Sequence, residues 1–193
     1  MSPVHKIPAY PKQLTLLDGA AVTTRPMTKG DEKRLLAFFL RLPEEDRFFL
    51  KDDVSSPKVI GEWAARLDYD RALPLLALVG DRVVADAVLI RSRMGSRQHV
   101  GEIRVMVDTE FRQRGLGTAL IRELCDIAND AGLEFIVVEV VQDVETQMIE
   151  VAERLGFLRV ATLARHIKDR QGNPHDLTVM VLPLAKWHGW WRP

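Results

Sequence analysis

The pattern of hydrophobic and polar positions divides the chain into short strand-like and helix-like segments. Near the beginning, two apolar runs flank the turn-forming pair Asp18-Gly19, which favours a β-hairpin. Thr28 and Ser56 each precede a segment with apolar residues at helical spacing, and both residue types are common helix caps. The elements predicted in this part are strands at 14–17 and 20–24, helices at 28–43 and 56–67, and a loop at 46–55.

The rest of the chain alternates between hairpins, single strands and helices. Apolar residues recur at helical spacing from 116 onward until Gly132, which is placed to end that helix. The run Phe135 to Val141 is almost unbroken in its apolar character, as in a strand that is covered on both faces. The predicted elements are strands at 75–79, 82–90, 100–107, 135–141, 157–164 and 177–182, and helices at 116–131 and 144–155.

The composition argues against a nucleic-acid-binding, membrane or disulfide-bonded secreted protein. Lys plus Arg and Asp plus Glu number 27 each, so the chain has no general electrostatic attraction to nucleic acid or anionic membranes. No apolar segment approaches the length that spans a bilayer, and residues 1–10 lack the apolar run of a signal peptide. The single cysteine, Cys125, cannot form an internal disulfide. We therefore expect a cytoplasmic protein that binds neither nucleic acid nor membrane.

A length of 193 residues suits one domain with a full hydrophobic core. We expect a proline-containing N-terminal arm at 1–13, a single domain at 14–184 and a tryptophan-rich tail at 185–193. The tail can pack on its own domain, take part in a dimer contact or cover a cleft. The five histidines show no spacing typical of metal ligands, so we expect no metal.

The chemistry concentrates in the turn between strand 100–107 and the helix that follows it. Gly115 and Gly117 let the main chain come close to an anion and adopt unusual dihedral angles. The first N–H groups of the helix point back at the turn without internal partners. Arg112 and Arg114 add positive charge, although each can equally be a solvated surface residue. The turn is therefore predicted to bind phosphate.

Two familiar phosphate-binding motifs fit this turn poorly. A dinucleotide-binding fingerprint needs a glycine where Leu120 stands, and a P-loop needs Lys and then Ser or Thr where Thr118 and Ala119 stand. The pattern Arg-x-x-Gly-x-Gly between an apolar strand and a helix instead resembles the acetyl-CoA-binding motif of the GCN5-related N-acetyltransferases, the GNAT superfamily. The order of the predicted elements over 14–184 is also that of the GNAT fold.

This resemblance implies an α/β (α+β) protein with a mixed, mostly antiparallel, twisted sheet that carries helices on both faces. It also implies acetyl-CoA as cosubstrate. The segment Glu102 to Gly117 is most similar to the bacterial Pat-type protein-lysine acetyltransferases, which carry a glutamate at the same distance before the first glycine. Two positions depart from the pattern of the superfamily. Glu145 stands where Asn is common, and Ala152 stands where a tyrosine general acid is common.

The resemblance also assigns residues to roles. The backbone of Val105, Met106 and Val107 would bond the pantetheine arm and offer an N–H to the thioester oxygen, with ordinary strand pairing as the alternative. Glu102 shares a strand face with Arg104 by period-two alternation, and we interpret it as the base that accepts the amine proton. An ion pair with Arg104 is the alternative. The residues expected at the cofactor phosphates are Arg112, Gln113, Arg114, Gly115, Leu116, Gly117 and Thr118.

The sequence thus predicts an acetyl-CoA-dependent N-acetyltransferase that acts on a primary amine by direct attack. A protein lysine is the first acceptor class, and a small-molecule amine or amino acid is the runner-up. A catalytically weak domain that senses acyl-CoA is a third interpretation, which Glu145 and Ala152 keep open. Cys125 is expected to serve packing rather than nucleophilic attack. The sequence leaves open whether the protein forms a homodimer.

Overall fold

The computed structural model describes residues 9–92 and 94–185. Most of the predicted arm and nearly all of the tryptophan-rich tail lie outside the described residues. The strands are β1 Lys12–Thr15, β2 Ala21–Pro26, β3 Ala72–Val79, β4 Arg82–Arg91, β5 Val100–Val107, β6 Phe135–Val141, β7 Leu158–Lys168 and β8 Pro174–Pro183. The helices are α1 Glu32–Arg41, α2 Glu44–Phe48, α3 Pro57–Ala65, α4 Leu116–Asp130 and α5 Thr146–Arg154.

The eight strands of the described residues form one sheet, in the order β1-β2-β3-β4-β5-β6-β8-β7. Every neighbouring pair is antiparallel except β5 and β6, which run parallel. A parallel pair needs a crossover, and α4 supplies it. The predicted mixed, mostly antiparallel sheet is therefore confirmed.

Helices cover both faces of the sheet and create two hydrophobic clusters. On one face, Leu120 and Leu124 of α4 are fully buried against small side chains of β4 such as Ala87. On the other face, Phe38 of α1 and Ile60 of α3 pack with residues of β3 and β4. The predicted arrangement of helices on both faces is confirmed. No helix in the described ranges is long and apolar enough to cross a bilayer.

Three local predictions differ from the structure. The predicted loop 46–55 is preceded and partly replaced by the short helix α2, because three acidic residues follow Pro43 and suit a first helical turn. Strand β1 begins at Lys12, inside the predicted arm. Strand β6 is buried on one face only, since Glu139 is exposed on the other, where the sheet opens into a cleft. The apolar run 135–141 therefore forms part of the wall of a cleft as well as part of the hydrophobic core.

Candidate active site

The parallel strands β5 and β6 separate soon after they meet. β5 pairs with β4 over Gly101–Val107, but it pairs with β6 only over Val100–Glu102. Ile103–Val107 therefore have no strand partner on the side of β6, and the backbone groups that point there are open to an extended ligand. A cavity of about 140 Å³ occupies the separation, and we call it the splay cavity. The walls of this cavity include Lys51, Glu102, Val105, Met106, Glu139 and Glu145.

The glycine turn closes one end of this strand and starts α4. Gly115 caps the helix with a φ of +83°, and Gln113 has a φ of +60°. Among the described residues, none accepts a hydrogen bond from the backbone N–H groups of 113–118, and the first such bond of the helix runs from Ala119 to the Gly115 carbonyl at 3.0 Å. Six consecutive donors at a helix N-terminus form an anion-binding concavity. This is the arrangement that the sequence predicts.

The two glycines of the turn meet different requirements. Gly115 lies in the left-handed region, where a side chain strains the backbone, and a Cβ there would also lie 3.2 Å from Leu17 Cγ. A Cβ at Gly117 would make only ordinary contacts, at 3.7 Å to Val107 Cγ2 and 4.0 Å to Val105 Cγ1. The protein's own packing therefore requires glycine at 115 but not at 117.

Both arginines beside the turn already have partners in the protein. Arg112 binds the Asp46 carboxylate at 2.6 Å through Nη2 and donates to the Val107 carbonyl at 3.0 Å through Nε. Arg114 pairs with Asp18 and donates to the Glu110 carbonyl at 3.2 Å. These bonds fasten the turn to α2 on one side and to the β1–β2 hairpin on the other. A phosphate contact from either arginine stays a prediction.

Glu102 is held by cations at the start of the splay. Its Oε1 atom accepts hydrogen bonds from Arg104 Nε at 2.8 Å and Lys51 Nζ at 3.2 Å. Partial burial alone would raise the pKa of Glu102, but the bonds to Arg104 and Lys51 outweigh it and hold the pKa below its usual range. Glu102 is therefore a carboxylate at neutral pH, with its other oxygen, Oε2, not engaged by any described residue.

A second and larger cavity lies between the sheet and helices α1 and α3. Its volume is about 470 Å³, and we call it the helix-side cavity. The walls are mostly apolar and include Phe39, Trp63, Val88 and Met106. Met106 lines both cavities, so the two spaces adjoin near the C-terminal end of β5.

Asp86 of β4 is the unusual polar group of the helix-side cavity. Its side chain is 6% exposed, and its buried Oδ1 has no hydrogen-bond partner in the described part of the chain. Burial raises the pKa of Asp86 to about 7. Asp86 is not among the site residues predicted from the sequence. The signal was present, however, because Asp86 is the only acid inside the apolar run 83–90.

Two positions depart from the resembled pattern, and one of them lines the splay cavity. Glu145 lines it, and its Oε2 accepts the Val141 N–H at 2.8 Å. Burial raises the pKa of Glu145, and the nearby Asp46 carboxylate raises it further. Ala152 of α5 is fully buried in the core and offers no proton donor. Cys125 is likewise fully buried in α4, where burial raises the pKa of its thiol.

Within 9–92 and 94–185, no three His, Cys, Asp or Glu side chains are grouped so that they could hold a metal ion. The polar side chains on the walls of the two cavities are mainly carboxylates and cations. The backbone donors suit the binding of an anionic ligand at the turn.

Comparisons with known proteins agree with this geometry. Residues 25–157 match the model of the acetyltransferase (GNAT) family. No curated protein matches the chain in sequence. Solved structures that resemble it include the GNAT domain of S. lividans PAT, at 21% identity and a TM-score of 0.73, covering 90% of this chain and 96% of that one.

Two further structures have comparable similarity. The ribosomal-protein-S5-alanine acetyltransferase from Vibrio fischeri is 14% identical with a TM-score of 0.75, covering 89% of this chain and 96% of that one. The protein yncA from Salmonella typhimurium, solved with its cofactor acetyl-CoA, is 21% identical with a TM-score of 0.69, covering 84% of this chain and 94% of that one. At these identities the structures establish a shared fold.

Proposed function

The chain belongs to the GNAT family of acetyltransferases, and on that premise we propose that it moves an acetyl group from acetyl-CoA to a primary amine by direct attack. A protein lysine is the first acceptor class, as in the Pat-type enzymes that the segment from Glu102 to Gly117 resembles. The observation that carries the proposal is the row of six unpaired N–H groups at 113–118, at the end of an open strand.

Acetyl-CoA would bind in two parts. Its pyrophosphate would lie on the glycine turn, where the backbone donors and the N-terminus of α4 favour negative charge. Its pantetheine arm would run along the open side of β5 and bond like an added strand to the backbone of Val105–Val107. This arrangement would put the thioester at the splay cavity. An N–H of that strand would then stabilise the oxyanion that forms on the carbonyl oxygen.

The acceptor amine must lose a proton before it attacks. A lysine-like amine with a pKa of about 10.4 is only about one part in a thousand neutral near pH 7. We assign proton removal at the splay to Glu102, through its free oxygen or a water. Because Arg104 and Lys51 lower its pKa, Glu102 is ionised at neutral pH but is a weak base, so its loss would slow transfer rather than abolish it.

The leaving thiol does not need a strong acid. A CoA thiol resembles cysteine, with a pKa of about 8.5, and can leave largely as thiolate. Ala152 stands where a tyrosine acid is common, and it is buried in the core. Protonation of the thiolate would therefore come from solvent. The absence of a tyrosine at 152 is therefore compatible with acetyl transfer, and a catalytically weak sensor of acyl-CoA stays the alternative.

The binding step is tested by calorimetric titration of acetyl-CoA into wild type and two variants of Gly117. Gly117→Glu puts a carboxylate beside the row of N–H groups, and we expect it to abolish measurable binding. Gly117→Ala is the matched control, because a Cβ there meets no atom closer than 3.7 Å and the fold should be kept. Unchanged binding by Gly117→Glu would contradict the assignment of the turn.

The acceptor class is tested by label transfer from radiolabelled acetyl-CoA in a cell extract that is split into protein and small-molecule fractions. Label in protein that disappears with Gly117→Glu supports the lysine acceptor. Label confined to small molecules supports a metabolite amine. Label in neither fraction, with acetyl-CoA still bound by the wild type, would contradict transfer and favour the sensor.

A further inference from the structure

Lys51 holds its ammonium group between the two strands that separate at the splay cavity. Its Nζ atom lies 3.2 Å from Glu102 Oε1 on β5 and 3.5 Å from Glu139 Oε2 on β6. Glu102 belongs to the last residue pair of these two strands, and Glu139 lies two residues beyond the partner of Glu102, on the same sheet face. The amine therefore lies close to the point where the pairing of β5 and β6 ends.

Lys51 differs in its position from the other lysines. Of the lysines in 9–92 and 94–185, it alone lines the splay cavity, and it lines the helix-side cavity as well. Its side chain is 55% exposed, so it is accessible. In the catalytic scheme above, Lys51 acts only as a cation that helps to lower the pKa of Glu102. A primary amine is thus already bonded to the carboxylate that we assign as the base.

The segment that carries Lys51 is fastened on both sides of the splay cavity. On the side of β5, Asp46 binds Arg112 of the glycine turn at 2.6 Å. On the side of β8, the Phe49 ring contacts the His175 ring edge-on, with centroids 6.0 Å apart. These contacts hold the backbone beside the cavity, so the Lys51 amine samples a small volume around its two carboxylate partners.

The proposed path of acetyl-CoA brings its thioester toward this amine. The pyrophosphate would lie on the glycine turn, which follows the C-terminal end of β5 at Val107. The pantetheine arm would run back from there along the open side of β5, in the direction of Glu102. Because the thioester is at the end of the arm that is far from the pyrophosphate, it would be the part of the cofactor nearest to Lys51.

We propose that Lys51 is a self-acetylation site, at which the protein transfers the acetyl group of its bound acetyl-CoA to its own chain. This inference rests on the proposed function, since it uses the same cosubstrate and the same base. A side chain that is already in the cavity needs no separate binding step, which favours its reaction over that of a free amine. Lys51 is therefore an acceptor within the protein itself.

The transfer balances in atoms and electrons. One N–H proton of the Lys51 ammonium passes to the Glu102 carboxylate, 3.2 Å away. Rotation about the Cε–Nζ bond turns the freed lone pair toward the thioester carbon, where the C–N bond forms. The C–S bond then breaks, and its electron pair leaves with sulfur. The nitrogen loses its second proton to the thiolate or to solvent, and Glu102 returns its proton to solvent. The products are Lys51 acetylated at its side-chain nitrogen and free CoA.

The test incubates the purified protein with acetyl-CoA that carries ¹³C in its acetyl group and follows labelled lysines by peptide mass spectrometry. The isotope separates new acetyl groups from any that were acquired during expression. Lys58 is the matched control within the same chain, since it is exposed and lines neither cavity. We expect Lys51 to gain label at least 10-fold faster than Lys58, which reports the uncatalysed reaction.

Three variants test the chemistry of this labelling. Gly117→Glu should lower the rate at Lys51 to that at Lys58, because it removes acetyl-CoA from the turn. Glu102→Gln should also lower the rate at Lys51 toward that at Lys58, with little change in acetyl-CoA affinity, because the base is lost. Lys51→Arg keeps the positive charge between the strands but cannot be acetylated in the same way, so it should lose the fast phase of labelling.

Dilution tests whether the acetyl group stays within one chain. When acetyl-CoA is saturating, transfer within a chain has a first-order rate that does not depend on protein concentration. We expect the same rate at Lys51 over a wide range of dilutions. A rate that rises in proportion to protein concentration would overturn transfer within one chain.

The outcomes separate this inference from the proposed function. Calorimetric binding of acetyl-CoA and acetylation of Nα-acetyl-lysine methylamide are measured on the same protein. If both occur while Lys51 gains label no faster than Lys58, Lys51 is only a structural cation and the inference is overturned, whereas the proposed function stands. Fast labelling of Lys51 that persists in Gly117→Glu would also overturn it. A wild type that neither binds acetyl-CoA nor acetylates any amine would instead refute the proposed function.

Discussion

The glycine turn and the helix-side cavity both expose polar groups that the protein does not pair, but they do so by different means. At the turn the unpaired groups are backbone N–H donors, held in place by the dihedral angles of Gly115 and Gln113. In the cavity the unpaired group is the Asp86 side chain, held by burial between a strand and two helices. The first site is made by local conformation and the second by tertiary packing.

Among the substitutions that test this difference between the two sites, Gly115→Val is expected to have the largest effect. A β-branched residue is strained at a φ of +83°, so the row of N–H groups should be displaced. We expect acetyl-CoA affinity to fall at least 100-fold and the free energy of unfolding to fall by about 1 to 3 kcal/mol. Calorimetric titration and urea denaturation measure the two quantities.

Gly172→Val is the matched control for that experiment. Gly172 has a φ of +85° in the turn between β7 and β8, away from both cavities. It should lose similar stability and keep acetyl-CoA affinity. Equal losses of affinity in the two variants would mean that the turn at 115 acts only through stability.

The next largest effect is expected on the pH dependence of the free energy of unfolding, through Asp86. Its folded pKa, about 7, is above the value of about 3.9 in an unfolded chain, so the native state holds the proton more tightly. Stability contributed by the protonated form is therefore complete below about pH 4 and is lost as the pH rises to about 7. Asp86→Asn carries no such penalty. We expect it to be more stable than wild type by about 2 to 4 kcal/mol at pH 8, and nearly equal to it at pH 4.

Urea denaturation of both proteins across this pH range measures the difference. A difference that does not change between pH 4 and pH 8 would show that Asp86 is not buried as a neutral acid.

A smaller effect is expected from Glu102→Gln. The amide keeps the shape of the side chain but cannot take a proton, and it weakens the bonds to Arg104 and Lys51. We expect kcat to fall about 10- to 100-fold with little change in acetyl-CoA affinity. Glu153→Gln is the control, since that residue pairs with Arg159 on the surface. If Glu102→Gln turned over as fast as the wild type, Glu102 would have no part in proton transfer.

The smallest effect is expected from Arg112→Lys. Lysine keeps the charge but cannot reach the Asp46 carboxylate and the Val107 carbonyl at once, as the guanidinium does. We expect the KM for acetyl-CoA to rise a few-fold and stability to fall by less than about 1 kcal/mol. Steady-state kinetics measure the first quantity. A loss of binding as large as that of Gly117→Glu would instead mean that Arg112 itself binds phosphate.

The same contrast explains what could be predicted from the sequence. The glycine turn is specified by a few consecutive residues, so it could be recognised from the sequence between a predicted strand and a predicted helix. The order of the helices and strands could likewise be predicted from local periodicity. The apolar run 83–90 marks Asp86 as an unusual acid, but its burial without a partner follows only from the packing of α1 and α3 on the sheet, which no local pattern specifies. Partners distant in sequence were hidden for the same reason, as with Lys51 and Glu102, whose ion pair joins residues 51 positions apart.

The central claim, that acetyl-CoA binds through the unpaired donors of the glycine turn, is tested most directly by NMR titration of ¹⁵N-labelled protein. We expect the amide signals of residues 113–118 to show the largest chemical-shift changes on addition of acetyl-CoA. We also expect a CoA fragment that carries the pyrophosphate but lacks the pantetheine arm to change the chemical shifts of the same signals. Amides at 113–118 that do not shift while acetyl-CoA saturates the protein would contradict this claim.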